Sequence, residues 1–185
     1  MFNKNIDEAK QLFMAYHGSH FFMERGGEYN KYKKYFISKK QELDWIAEYQ
    51  QEQLIKAKNS EISIYGLMNL CSTISQYYCL DTAKELLNIL EDQEEFTDTF
   101  SLLLVAESVY NLAANLESKN RKKQNNKETV NALKSFSVNL LNRLLTQPIT
   151  VADIFYESTH LDDTLESKRI LERINDDLKS LNKMA

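Results

Sequence analysis

The chain reads as an all-α protein, a single domain over residues 1–185 built as a bundle of six to seven helices. Three observations predict it. Long stretches repeat their apolar residues with the 3.6-residue period of a helix, and none alternates over strand length. There are only four Gly and one Pro in 185 residues, too few turn-makers for a many-turned sandwich or barrel. At 43% hydrophobic and 27% charged, the composition is that of a globule with a core of its own.

The first helix is read over 6–16, with Ile6, Ala9, Leu12, Phe13 and Tyr16 on one side. Residues 17–27 hold three of the four glycines, and Gly26-Gly27 should break any helix, because glycine loses the most backbone freedom on ordering. A helix restarts near Glu28 with Tyr29, Tyr32, Tyr35 and Phe36 spaced for one face. Ser38 with Gln41 three residues later fits a capping box, so a fresh helix is expected over 39–58, with Leu43, Ile46, Ala47 and Leu54 facing inward and Trp45 beside them.

Residues 61–79 are apolar around most of the circumference, which places them in the middle of the bundle. Asp81 caps a helix over 82–92. Thr97 or Asp98 caps a second very apolar helix over 99–118. Residues 119–127 contain no apolar side chain and read as an exposed basic loop. The next helix, 128–145, shows a stripe of Val130, Leu133, Phe136, Leu140, Leu141, Leu144 and Leu145, and Pro148 stops it. The last, 159–183, carries Leu161, Leu165, Leu171, Ile174, Leu178 and Leu181 among charges and is expected on the outside. The alternative architecture is a short array of helix pairs. Leu67, Leu70, Cys71, Ile74, Ala83, Leu87 and Leu90 sit at tetratricopeptide-like spacing, but the next 34 residues place Ser101, Ser108 and Glu117 where small or apolar residues should recur.

Charge is uneven. Residues 61–118 hold ten acidic side chains against one basic, while 119–145 hold seven basic against one acidic. Such blocks are solvated or mutually attracting faces, or surfaces for a charged partner. No apolar run approaches the ~18 residues of a membrane span, so no membrane association is expected. Two cysteines make no disulfide framework, and the N-terminus runs straight into charged residues without a signal-type apolar stretch. Both point to a reducing, cytoplasmic setting.

Four constellations bear on chemistry. His17, His20 and Glu24 form an H-x-x-H pair with a carboxylate four residues on; on a helix these share one face and could hold a metal. Gly18 and Ser19 between the histidines weaken that geometry, and a capping role in an aromatic bend is the plainer reading. His160 with Asp162 and Asp163 could add donors, although acids in a first helical turn are explained by the helix dipole alone. Cys71 and Cys79 are eight residues apart, about 12 Å along a helix, too far for a disulfide, and read as small buried hydrophobes. Tyr29, Tyr32, Lys33, Lys34 and Tyr35 interleave rings and cations, as single-strand nucleic-acid grooves do. A pI near 5.5 argues against nucleic acid, and lysine stems around a packed tyrosine face would give the same pattern.

There is no phosphate-cradling G-x-x-x-x-G-K-[ST] loop, no G-x-G-x-x-G and no G-x-S-x-G elbow, so no cofactor is implied and most common enzyme scaffolds are excluded. The leading expectation is a small cytosolic protein that acts by binding another protein, as an adaptor or regulator. Its contact surfaces would be the Tyr/Lys stretch 29–40 and the acidic stretch 91–98. The rivals are a metal-dependent bundle around His17, His20 and Glu24, and nucleic-acid binding through the lysine tracts. The abundance of apolar positions also allows a homodimer.

Overall fold

The computed structural model describes residues 2–92, 96, 98–119, 126–148 and 163–182. All regular structure among them is helical, with no strand. Length alone predicts one domain; the chain divides into two compact units, Met1–Ile55 and Lys56–Ala185.

The first unit contains α1 (Phe2–Ala15), α2 (His20–Arg25), α3 (Tyr29–Tyr32), a 3-10 turn (Lys33–Tyr35) and most of α4 (Lys39–Lys58). Its core is aromatic. Phe13, fully buried, stacks on Tyr32 with centroids 5.5 Å apart and meets Trp45 at 5.9 Å. Ala9, Met23 and Ile46 are buried in the same unit. The segment 17–27, read from sequence as a bend, contains a helix of its own. Ser19 caps α2 by accepting from the Phe22 N–H, and Gly26 ends it. The Tyr16 ring lies over Gly26 so closely that an added Cβ would fall 2.8 Å from its Cζ, and Gly27 follows at φ +79°.

The capping box at Ser38 forms as its spacing predicts. The Gln41 N–H donates to Ser38 Oγ, and the Ser38 N–H donates back to Gln41 Oε1 at 3.0 Å. The inward face of α4 differs from the hydropathy reading. Glu42, Trp45, Ile46, Gln50, Gln53 and Leu54 are buried, whereas Leu43 and Ala47 face water. A one-residue rotation of the face follows from Glu42, whose buried carboxylate is held by partners on other elements.

The second unit takes in the end of α4, α5 (Ile64–Tyr77), α6 (Leu80–Asp92), α7 (Thr99–Lys119), α8 (Lys127–Leu145) and α9 (Asp163–Asn182). Ser63 caps α5 by accepting from the Gly66 N–H at 3.0 Å, and Tyr78 ends it in a left-handed conformation, φ +60°. Lys119 closes the same end, donating from Nζ to the Ser75 and Gln76 carbonyls at 2.7 and 3.0 Å. A cation on the negative pole of a helix is favourable. Of the stretch 119–127 expected as a loop, Lys119 ends α7 and Lys127 begins α8, and 120–125 lie outside the described residues. Asp98 caps α7, accepting from the Ser101 N–H at 2.9 Å.

α7 packs on α5 and on α8, burying Leu103, Ala106, Val109, Leu112, Ala113 and Leu116. Each fully buried leucine contributes roughly 1.5–3 kcal/mol of transfer free energy. α5 is buried on one side, at Leu67, Leu70, Cys71 and Ile74, while Tyr65 faces water, so it is less enclosed than its composition predicts. α9 lies on α8 and α7 through Ile170 and Ile174. Leu171, placed in the stripe by sequence, is exposed; Ile170 takes its position because it stands one full turn, four residues, from Ile174.

Candidate functional site

The first unit gathers its polar chemistry at Glu42. α1 ends at Ala15, and the chain reverses through two left-handed residues, His17 at φ +50° and Gly18 at φ +75°. Ser19 then starts α2, which sets His20 in its first turn with Nε2 2.7 Å from Glu42 Oε1. The Tyr32 hydroxyl donates to the same oxygen at 2.8 Å. Lys39 Nζ stands 3.5 Å from the other, Oε2. Glu42 is only 4% exposed, so these bonds replace its lost water. The His20 ring is half-exposed and bordered by Tyr29 at 5.2 Å, Phe13 at 5.6 Å and Tyr32 at 5.6 Å.

A buried carboxylate that orients an imidazole is the supporting half of a general-base pair. The other half is a hydroxyl or thiol on the ring, and among the described residues none hydrogen-bonds to His20. The pairing thus fixes the ring and its aromatic neighbours in place.

The proposed metal trio does not assemble. Among the described residues no three His, Cys, Asp or Glu side chains converge as a metal ion requires. The H-x-x-H spacing puts two imidazoles on one face only inside a continuous helix, and here the left-handed turn separates His17 from His20. His20 commits Nε2 to Glu42, and Glu24 is exposed on α2. Burial holds the His17 imidazole below its ordinary pKa. His160 and Asp162 lie outside the described residues. Cys71 is buried and its thiol is pushed up to about 12 by burial, as an inert core residue requires.

The Tyr/Lys stretch divides. Tyr32, expected at a contact surface, is 4% exposed and belongs to the core, where it stacks on Phe13 and bonds Glu42. The expectation failed because α3 is one turn long and passes into a 3-10 turn, so a single helical face never extends from 29 to 36. Tyr29 is half-buried with Lys33 Nζ 4.8 Å from its ring centroid. Lys33 and Lys34 are exposed, and Tyr35 is half-buried, donating to Glu8 Oε2 at 3.4 Å.

Sequence reasoning missed the residue next in line. Phe36 adopts φ +52° and is 91% exposed. The signal available was the capping box at Ser38: a helix that starts afresh there forces a turn just before it. Phe21 and Phe22 on α2 are also mostly exposed, with their rings 5.5 Å apart and the Arg25 guanidinium 5.7 Å from the Phe21 centroid. Of the acidic stretch 91–98, Glu91 lines a cleft of the second unit, and 93–95 and 97 lie outside the described residues.

Comparison with protein families, curated proteins and solved structures finds no match to this chain.

Proposed function

We propose that the protein is a non-catalytic, cytosolic binding module, and that the first unit engages an acidic, apolar-rich segment of a protein partner. Phe36 carries this reading. A left-handed backbone costs a bulky residue roughly 1–2 kcal/mol, and a phenyl ring held in water adds its own unfavourable hydration. The Phe36 N–H caps the 3-10 turn by donating to the Lys33 carbonyl at 3.3 Å, but among the described residues nothing covers the ring, whereas a partner would. Aromatic side chains with cations beside them are the usual energetic anchors of protein interfaces. Here the rings are Phe21, Phe22 and Phe36, and the cations are Arg25, Lys33 and Lys34. The Glu42 cluster holds α2, α3 and the start of α4 in one arrangement, which lowers the ordering cost of binding. Cys71 and Cys79 are not joined in a disulfide, which accords with a reducing compartment.

Selection from a phage-displayed random peptide library tests the reading. Expected are enriched peptides with acids adjoining apolar residues. Their binding should weaken with salt and fall about thirtyfold, the loss of one hot spot, in Phe36→Ala and in Lys33→Glu/Lys34→Glu. Thermal melting of these variants should be unchanged. Enrichment of basic sequences, or full binding by Phe36→Ala, overturns the proposal. So does Phe36-dependent capture of a single-stranded oligonucleotide in preference to the peptides, because rings and lysines also serve that purpose.

A further inference from the structure

The second unit holds a cleft of about 540 Å³ with walls from α6, α7 and α8. Most of its lining is apolar. Phe136 and Leu140, four residues apart on one face of α8, line it together with Leu90 of α6 and Leu102 and Val105 of α7. Phe96, in the connection between α6 and α7, adds a second aromatic ring. The charged lining is one acid, Glu91, and one base, Arg143. Both are exposed, and among the described residues neither forms an ion pair, with the other or with any third group. Asn139, four residues before Arg143 on α8, lines the same cleft.

From this lining we infer that the cleft binds a small zwitterion with an apolar body, an apolar amino acid or a short peptide of such residues. The volume fits a small molecule, since ligand pockets hold roughly 300–1,000 Å³ and are mainly apolar with a few polar groups that fix orientation. The charge of the ligand follows from Glu91 and Arg143 together. An apolar acid would meet Arg143 but bring a second negative charge to Glu91. An apolar amine would meet Glu91 but bring a second positive charge to Arg143. An uncharged molecule would use neither. A molecule with a carboxylate and an ammonium group complements both.

The two ends of the ligand have assigned places. The Arg143 guanidinium offers paired N–H donors, the geometry that grips a carboxylate with two parallel hydrogen bonds. The Asn139 side chain, on the same face of α8, supplies a further amide donor. Glu91 lies in the last turn of α6, where the negative pole of the helix adds to its attraction for an ammonium group. Between the ends, Phe96, Phe136 and Leu140 offer apolar surface to the ligand's side chains, whose removal from water drives binding. This inference stands independently of the reading of the first unit and involves none of its residues.

The probe is the dipeptide phenylalanyl-leucine, titrated into the full chain by isothermal calorimetry. Saturable one-to-one binding is expected below about 10 mM. The N-acetylated dipeptide lacks the ammonium group, the C-terminal amide lacks the carboxylate, and glycyl-glycine lacks the apolar body. Each is expected to bind about tenfold more weakly or worse. Arg143→Gln should bind the dipeptide and its amide alike, and Glu91→Gln should bind the dipeptide and its acetylated form alike. Glutamine suits a helix as well as the residues it replaces, so thermal melting of both variants should match the parent. Ala132→Phe, which fills the cleft from α8, should weaken dipeptide binding about tenfold. Free phenylalanine is titrated alongside, and whichever of the two zwitterions binds more tightly identifies the source of the ligand. Absence of saturable binding by both overturns the proposal. So does equal binding of glycyl-glycine, discrimination against the amide that persists in Arg143→Gln, or indifference to Ala132→Phe.

Discussion

The Tyr32 hydroxyl donates to Oε1 of Glu42 at 2.8 Å, a buried bond between α3 and α4. His20 Nε2 approaches the same oxygen at 2.7 Å from α2, so one carboxylate ties three elements. Hydrogen bonds to charged groups contribute about 1.5–3 kcal/mol, and a buried group left without its partner loses more than the bond itself. Tyr32→Phe is expected to destabilise the first unit by an amount in that range. Glu42→Leu should cost at least as much, because it strands the Tyr32 hydroxyl. The double variant should fall short of the sum by 0.5 kcal/mol or more, as residues in one network do. Urea unfolding of the four proteins closes the cycle, and strict additivity would show that the two groups act separately.

His17 makes the first unit sensitive to acid. Burial lowers its pKa below the ordinary 6.5, so the unfolded chain binds the proton more readily than the folded one. The contribution is therefore fully present above about pH 6.5 and is lost as pH falls through the lowered value. His17→Asn removes that titration and suits the left-handed backbone at φ +50° better than histidine does. The gap in stability between His17→Asn and the parent should widen from about pH 7.5 to about pH 5.5. A gap independent of pH would rule the mechanism out.

Glu107 behaves in the opposite sense. Burial raises its carboxyl pKa, the Arg173 guanidinium that grips it lowers it, and Asp177 beside it raises it again, with a net upward shift. A carboxyl raised above its ordinary 4.5 stabilises the fold in its protonated form. That contribution is complete below about pH 4.5 and disappears as pH climbs through the raised value. Asp177 Oδ2 is buried and, among the described residues, has no hydrogen-bond partner. Asp177→Asn should stabilise the packing of α9 on α7 at neutral pH and flatten this dependence. Hydrogen exchange of α9 amides at about pH 5 and about pH 7.5 measures it.

The two thiols should react unequally. With its pKa pushed up to about 12 and its side chain 3% exposed, Cys71 is neither a thiolate nor accessible at neutral pH. Cys79, half-buried just before α6, is the more open of the two. Ellman's reagent should titrate at most Cys79 in the native protein and both thiols in denaturant. Rapid labelling of Cys71 in the native state would contradict the packing of α5.

Core and surface of the second unit should separate cleanly. Leu103→Ala empties a fully buried site on α7 and is expected to cost about 2–5 kcal/mol, whereas Tyr65→Ala on the open side of α5 should change stability by less than about 0.5 kcal/mol. Chemical denaturation of both variants measures the difference.

Much of the helix order was legible in the sequence because its signals are local. The Ser38–Gln41 capping box starts α4 at Lys39, and Asp98 caps α7 just before Thr99. Both depend on residues three apart that read one another without help from the rest of the chain. The candidate sites were less legible. The short α2 hides between glycines, because six residues are too few to show a period. Glu42 carries no sign of burial in a helix otherwise rich in charge; only His20 and Tyr32, 22 and 10 residues away, make it a core residue.

The sequence by itself determined that the chain is helical, where most helices begin and end, and which apolar residues could form cores. Hydrophobic period, caps and glycine are short-range, and each acts on its own turn of backbone. Only the tertiary structure decided which way each face turns and what is left uncovered. Glu42 went inside and Leu43 out, Tyr32 joined the core, and Phe36 was left in water. A side chain is buried by what packs against it, and the partners that decide its burial arrive from distant parts of the chain.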